Sequence, residues 1–191
     1  MKKTEIYNKI YHVELGSAKE LALTFLRFQE YHESPKFKDR IFSLKKFKKW
    51  YSDKNGQFSY HSDYSGFNIP SWVLTLFFNG NFNPLSNREK KFLSIFKKHR
   101  NQKFYIIGTL KNESKETLKH ELAHALFYTN SNYRKEVLAI IKTKNLAPIK
   151  NFLKKSDYHP SVYLDECHAY ILDGGLKCFV PNHQYYKTQS H

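Results

Sequence analysis

The chain of 191 residues carries 32 lysines and arginines against 17 aspartates and glutamates, which gives a formal net charge of +15. This length suits one domain with a core of its own, and two cysteines exclude the disulfide framework of a small secreted protein. The basic N-terminus has no apolar region after it, and the apolar run 21–26 is too short to span a membrane. We therefore expect a cytoplasmic protein with no signal peptide and no transmembrane segment.

Hydrophobic periodicity and turn residues predict a mainly helical N-terminal half. Ser86 to Glu89 fit a capping box that opens a helix reaching about residue 98. Before this helix the pattern predicts, in chain order, a helix at 19–31, a helix at about 43–51, a turn at 53–56, a strand and loop at 57–68, and a short apolar element at 71–78.

The second half of the chain begins with a strand and continues in helices. Residues 103–110 are rich in aromatic and β-branched side chains, which is typical of a strand. The helices that follow are predicted at 115–128, about 132–142, about 146–155 and 161–172. The whole pattern predicts an α+β fold, mostly helical, with a small mixed sheet next to helix 115–128.

We expect residues 1–191 to form a single domain around a cleft. Residues 1–100 would make one wall of this cleft, and residues 101–175 would supply the strand and the functional helices. Residues 176–191 would form a tail.

Helix 115–128 contains the motif His120-Glu121-Leu122-Ala123-His124. Residues four apart lie on one face of a helix, so the two imidazoles can bind a single zinc ion. Glu121 follows the first histidine directly and would stand beside the metal, where a general base takes a proton from the attacking water. The motif therefore supplies two candidate metal ligands, His120 and His124, and one candidate catalytic base.

The residues around the motif favour a helix that packs on a core. Glu113 and Ser114 suit a helix start, and no proline or glycine interrupts residues 115–128. Apolar side chains recur at helical spacing and predict a buried stripe, formed by Leu118, Leu122, Ala125 and Leu126.

With these flanking residues the chain resembles the zincin metallopeptidases over about residues 103–175. The extended zincin pattern has an uncharged residue two positions before the first histidine, as Leu118 is here, and apolar residues around the second, as Ala125 and Leu126 are. The resemblance implies a zinc-dependent peptidase with a protein or peptide substrate. It also implies an edge strand upstream of the motif helix that pairs with an extended substrate, and 103–110 is the expected strand.

A catalytic zinc ion has three protein ligands and an open position. The metzincin type of third ligand is excluded, because Phe127 and Asn130 stand where that pattern requires glycine and histidine. The remaining common type is a glutamate on a later helix, as in gluzincins, and Glu166 is the predicted third ligand. A carboxylate in an apolar helix is costly unless it is paired or coordinated.

The helix around Glu166 follows Pro160 and ends before Gly174. Its apolar stripe is predicted to contain Leu164, Cys167 and Ile171, with Glu166 and the small Ala169 on another face. The rival ligands are His168, then His159 and Asp165.

The residues that support the ligands and the reaction stay open. Tyr170 stands where gluzincins of the thermolysin type have the aspartate that orients a ligand histidine, so Asp165, Asp173 or a backbone carbonyl would have to do this. No oxyanion donor stands out among the candidates Tyr163, Tyr170, His159, His183, Tyr185 and Tyr186.

Two other functions compete with the peptidase hypothesis. The first is a zinc-binding protein that is not a peptidase, either a regulatory or binding protein or a hydrolase of another amide. The second is a basic nucleic-acid-binding module, since lysines and aromatic residues alternate in the run from Lys45 to Trp50. The same run read as a helix would bury one face and leave its lysines in solvent, which favours a structural explanation; the buried residues would be Leu44, Phe47, Trp50 and Tyr51.

Overall fold

The computed structural model describes residues 1–34, 36–64, 66–156 and 158–172. Its strands are β1 (Lys2–Tyr7), β2 (Ile10–Leu15), β3 (Gly66–Pro70) and β4 (Tyr105–Leu110). Its α-helices are α1 (Ala18–Glu33), α2 (Leu44–Asn55), α3 (Tyr60–Asp63), α4 (Ser71–Phe78), α5 (Asn87–Phe96), α6 (Lys115–Thr129), α7 (Ser131–Ile141), α8 (Ala147–Lys155) and α9 (Tyr163–Leu172). The α+β class with a small mixed sheet is confirmed.

The four strands form one sheet in the order β1-β2-β4-β3. β1 and β2 form an antiparallel hairpin, β2 pairs parallel with β4, and β3 pairs antiparallel with β4. The hairpin was not predicted from the sequence. The expected edge strand was also assigned wrongly, because β4 lies inside the sheet and the strand at the edge on that side is β3.

Helix α1 covers one face of the sheet. Its Phe25 stacks on Phe67 of β3, and a Cβ atom at Gly108 of β4 would overlap with the Phe25 ring. Glycine at this position therefore lets the helix approach the strand closely. A large aromatic cluster that includes Phe28, Phe77 and Phe92 extends the core on this face.

Helix α6 covers the opposite face. Leu118, Leu122 and Leu126 pack on a cluster formed by Ile10, Tyr105, Ile107 and Ala125. Because strand side chains alternate between faces, Ile107 and Tyr105 point to α6 while Ile106 points to the α1 side. The predicted apolar stripe of the motif helix therefore packs against the sheet.

Most predicted helices lie where the sequence placed them. The capping box at Ser86 and Glu89 is present, and the side chain of Ser114 accepts a hydrogen bond from the backbone of Thr117 at the start of α6. The predicted strand and loop at 57–68 is partly wrong, because a short helix, α3, stands there before β3. In the described ranges, no helix is both long and apolar enough to cross a bilayer.

A buried ion pair joins α1 to α5. The guanidinium of Arg27 donates from Nε and Nη2 to the two carboxylate oxygens of Glu89, each at 2.6 Å. It also donates to the carbonyl of Phe82 at 2.9 Å, and Glu89 accepts the backbone N–H of Ser86 at 2.7 Å. Because both side chains are almost fully buried, each charge depends on the other for compensation.

Glu30, on α1, gives the folding stability a predictable pH dependence. Burial raises the pKa of Glu30 from 4.5 to about 7, although the hydroxyl of Tyr60 donates a hydrogen bond to it at 2.8 Å. The folded chain thus keeps this proton in a pH range where the unfolded chain releases it. The contribution of protonated Glu30 to the free energy of unfolding is fully present below the unfolded pKa of 4.5, and it is lost as the pH rises through about 7.

We expect Glu30→Gln to remove this dependence. The free energy of unfolding of the original chain, measured relative to Glu30→Gln, should fall by up to about 3 kcal/mol between the two pKa values. Urea denaturation at a series of pH values measures the difference. Parallel pH profiles for the two proteins would contradict the prediction.

Candidate metal centre

Helix α6 brings the two motif histidines together. The side chains of His120 and His124 lie one helical turn apart, and their Nε2 atoms are 3.2 Å apart. His124 is 2% exposed and His120 is partly buried. The edge of the His120 ring also contacts the ring of Tyr170 on α9.

Helix α9 packs against α6 and adds a carboxylate to the two imidazoles. Glu166 Oε1 is 3.8 Å from Nε2 of His124, and Oε2 is 4.0 Å from Nε2 of His120. In the described ranges, these three residues are the group of His, Cys, Asp or Glu side chains whose geometry could hold a metal ion, with all ligand atoms within 4.8 Å of one another. The predicted third ligand therefore lies opposite the two motif histidines.

The residues present fit a zinc ion. Two ligand atoms at zinc-bond distance on a tetrahedral ion lie roughly 3.3 Å apart, close to the separation of the two Nε2 atoms. The oxygens of Glu166 lie slightly farther away, so a small side-chain movement would bring one of them into place. Glu166 Oε2 is buried without a hydrogen-bond partner, and buried polar atoms normally have one.

Two of the rival ligands, Asp165 and His168, lie near the Nδ1 side of His124 and not near the Nε2 atoms. Asp165 Oδ1 is 3.0 Å from Nδ1 of His124, on the side of the ring away from the metal position. Nδ1 of His168 lies 3.8 Å from the same Asp165 oxygen. Its Nε2 lies 2.8 Å from the hydroxyl oxygen of Tyr133 on α7. This arrangement places a carboxylate oxygen beside Nδ1 of His124, one of the possibilities left open by the sequence, although the contact does not have hydrogen-bond geometry.

The other open assignments are resolved only in part. The third rival, His159, is exposed, and its ring contacts the side chain of Ser161. The predicted stripe on α9 is wrong at Leu164, which is 45% exposed, whereas its other members, Cys167 and Ile171, pack with Ile149 and Leu153 of α8. Asp173, His183, Tyr185 and Tyr186 lie outside the described residues.

Each charged form of His124 and Asp165 is stabilised by the opposite charge of its neighbours, which shifts the pKa of both groups. Burial alone would lower the pKa of His124, but the carboxylates of Asp165 and Glu166 raise it well above its usual value. Burial acts to raise the pKa of Asp165, but the contacts with His124 and His168 lower it to about 2. Burial raises the pKa of Glu166, and its carboxylate faces Nε2 atoms that become metal ligands only when they are unprotonated.

Glu121 lies against the edge strand β3. A Cβ atom at Gly66 of β3 would lie 2.9 Å from Glu121 Oε1, so a larger residue there would displace the carboxylate. Glu121 Oε2 is buried and has no hydrogen-bond partner. The candidate base therefore has one oxygen against the strand backbone and one available for a proton.

The Glu121 carboxylate lies over the α6 face of β3 at Gly66, close to the edge of the sheet that β3 forms. The backbone N–H of Tyr105 bonds to Lys9 and that of Ser71 bonds to Phe104, which fixes the hydrogen-bonding alternation along β4 and β3. By this alternation the backbone groups of Phe67 and Ile69 bond to β4, while those of Gly66 and Asn68 point to the edge that carries no further strand within the described ranges. Gly66 is partly exposed and Asn68 is only 7% exposed, so this edge is accessible to an extended chain mainly at Gly66.

A second polar cluster, not predicted from the sequence, lies at the end of α1. Gln29 donates a hydrogen bond to Glu33, and His32 Nε2 is 3.4 Å from Glu33 Oε1. The carboxyl of Glu33 interacts electrostatically with Glu166, His124, Glu121 and Asp165. The sequence offered only a weak sign of this cluster, namely three polar residues at the end of an apolar helix. The position of α1 against the sheet decides what these residues contact, and the sequence alone does not show that position.

The alternation of lysines and aromatic residues in helix α2 separates a core-facing side from a solvent-facing side, as the helical interpretation of the sequence predicted. Phe47 and Tyr51 are buried, Leu44 and Trp50 pack on the same core, and Lys45 and Lys46 are exposed. Aromatic rings that are needed in the core are not available for stacking on bases.

In comparisons with known proteins, the chain matches no family model, no curated protein and no solved structure.

Proposed function

We propose that the protein is a zinc-dependent metallopeptidase in which His120, His124 and Glu166 hold the metal and Glu121 is the general base. The observation that carries the proposal is the position of Glu166. This carboxylate comes from a helix far along the chain, yet it is buried opposite the two Nε2 atoms of the motif, and its Oε2 atom lacks a hydrogen-bond partner. Two imidazoles and one carboxylate are a common ligand set for catalytic zinc.

Each protein group has a defined task in peptide hydrolysis. The zinc ion supplies Lewis-acid chemistry and lowers the pKa of water to near neutrality. Glu121 accepts the proton of the attacking water and later gives it to the leaving amine. Asp165 keeps the His124 ring in the orientation that presents Nε2 to the metal position.

The edge of β3 is the proposed place for the substrate backbone. Its outward N–H and C=O groups can pair with an extended peptide in any sequence context, first at the partly exposed Gly66, because Asn68 is only 7% exposed. Such a peptide would run next to Glu121, because Glu121 Oε1 already lies against Gly66. The strand assigned to this task from the sequence, 103–110, is replaced by its neighbour β3 in this proposal.

Metal content and cleavage together test the proposal. We expect the purified chain to carry one equivalent of zinc by elemental analysis and to cleave members of a peptide mixture, detected by mass spectrometry. A chelator should abolish cleavage, and added zinc should restore it. A chain that holds zinc but cleaves no peptide would support a zinc-binding protein of another function instead.

Removing the proposed third ligand should weaken the site strongly. We expect Glu166→Gln to lower zinc affinity by more than the roughly 10–100-fold that loss of an outer partner costs. Competition with a chromophoric chelator measures the affinity. Glu136→Gln, an exposed acid-to-amide change on α7, is the matched control and should leave zinc affinity unchanged. Equal affinities for the two variants would remove Glu166 from the ligand set.

A further inference from the structure

The side chains of Gln29, His32 and Glu33, here called the α1 cluster, contain more acceptors than donors. Gln29 Nε2 donates to Glu33 Oε2, which leaves Gln29 Oε1 buried without a partner. His32 Nδ1 is also buried without a partner. Gln29 itself is 8% exposed, so water does not readily replace the missing donor.

The basic side chain that contacts Glu33 is His32, whose Nε2 lies 3.4 Å from Glu33 Oε1. Burial and the nearby Lys38, whose Nζ donates to the backbone carbonyl of His32 at 2.6 Å, lower the pKa of this ring to about 3, so it is neutral at ordinary pH. Burial raises the pKa of Glu33 well above its usual value. The ionised carboxylate is therefore costly until a positive group reaches it.

The α1 cluster belongs to the surroundings of the metal centre. Glu33 interacts electrostatically with Glu166, His124 and Glu121, and His32 interacts with Asp165 and His124. The His32 ring also contacts Trp72 on α4, two residues after the end of the edge strand β3. The cluster thus adjoins both the proposed metal ligands and the end of the proposed substrate strand.

We propose that Gln29, His32 and Glu33 form a subsite that binds a primary ammonium group of the substrate beside the scissile bond. An ammonium group has three N–H donors and no acceptor, which matches the carboxylate of Glu33 and the unpaired acceptors Gln29 Oε1 and His32 Nδ1. The group comes either from a free N-terminus or from a lysine side chain. This inference rests on the proposed peptidase function and names its substrate class.

Peptide binding to a form that binds zinc and does not turn over tests the subsite. The protein is zinc-loaded Glu121→Gln, and the method is isothermal titration calorimetry. One probe pair is tetra-alanine amide with a free or an acetylated N-terminus. The other pair is acetylated tetra-alanine amide in which one alanine is replaced by lysine or by norleucine. The first pair reports on an N-terminal ammonium group and the second on a lysine side chain.

We expect the ammonium-bearing member of at least one pair to bind about tenfold or more tightly than its neutral partner. Adding Glu33→Gln should reduce this ratio to about one, while adding Glu136→Gln should leave it unchanged. Equal affinities within both pairs would overturn the subsite, and this comparison needs no substitution at Glu33. A ratio that survives Glu33→Gln in a folded, zinc-loaded protein would also overturn it.

Metal counting and hydrolysis separate this proposal from its alternatives. Two zinc ions per chain, one of them lost in Glu33→Gln, would show that the α1 cluster binds a metal and would overturn the ammonium subsite. A chain that prefers ammonium-bearing peptides but hydrolyses none would contradict the peptidase proposal and support the subsite. A chain that hydrolyses peptides without this preference would overturn the subsite alone.

Discussion

Replacing Glu121 by glutamine is expected to lower kcat/KM for peptide cleavage by roughly 10²–10⁴-fold. The amide has nearly the size of the carboxylate, so the side chain can keep its place against Gly66 on the edge strand. It cannot accept the proton of the attacking water, and this loss acts on the transition state. The effect should therefore appear mainly in kcat, with peptide affinity largely retained.

Zinc content is the control that gives this experiment its meaning. Glu121 is not among the three side chains that could hold the metal, so Glu121→Gln should retain one equivalent of zinc. The exposed change Glu136→Gln should retain both zinc and activity. A zinc-loaded Glu121→Gln protein with near-normal kcat would show that another group is the base. Loss of zinc would instead place Glu121 in the ligand set.

The local part of the site could be predicted from the sequence because it is held within single helices. His120 and His124 share a face through helical spacing alone, and Ser114 caps the same helix as expected. Glu166 could be named because an acidic residue in an apolar helix needs a partner. The apolar stripe beside it was wrong at one position only, since Leu164 is exposed while Cys167 and Ile171 pack against α8.

The non-local part could not be predicted in the same way. A strand's place in a sheet depends on its partners, and the hairpin of β1 and β2 supplies the neighbour that puts β4 inside. The short strand β3 could then become the edge beside the motif, although the aromatic content of 57–68 suggested only a strand and a loop. The α1 cluster depends on the same topology. Its residues are far from the motif in the sequence, and only the packing of α1 and α6 on the sheet brings them near it.

The buried pair of Arg27 and Glu89 supports the second prediction with a large effect. We expect Glu89→Ala to lower the free energy of unfolding by about 3–5 kcal/mol, because Arg27 is then left as an uncompensated buried charge. Loss of the capping box at Ser86 adds to this cost. Urea denaturation of the metal-free protein measures the change without a contribution from bound zinc.

A double variant shows whether the lost partner is the cause. Arg27→Met combined with Glu89→Leu removes both charges and keeps apolar volume in the cluster, so it should be markedly more stable than Glu89→Ala. Glu89→Ala with a cost below about 1 kcal/mol would show that solvent reaches the guanidinium. Neither residue belongs to the candidate metal group, so the fraction of either variant that is folded should still bind one equivalent of zinc. Stability and metal binding would then be separable in this chain, and losses caused by changes at His120, His124 or Glu166 could be assigned to the site itself.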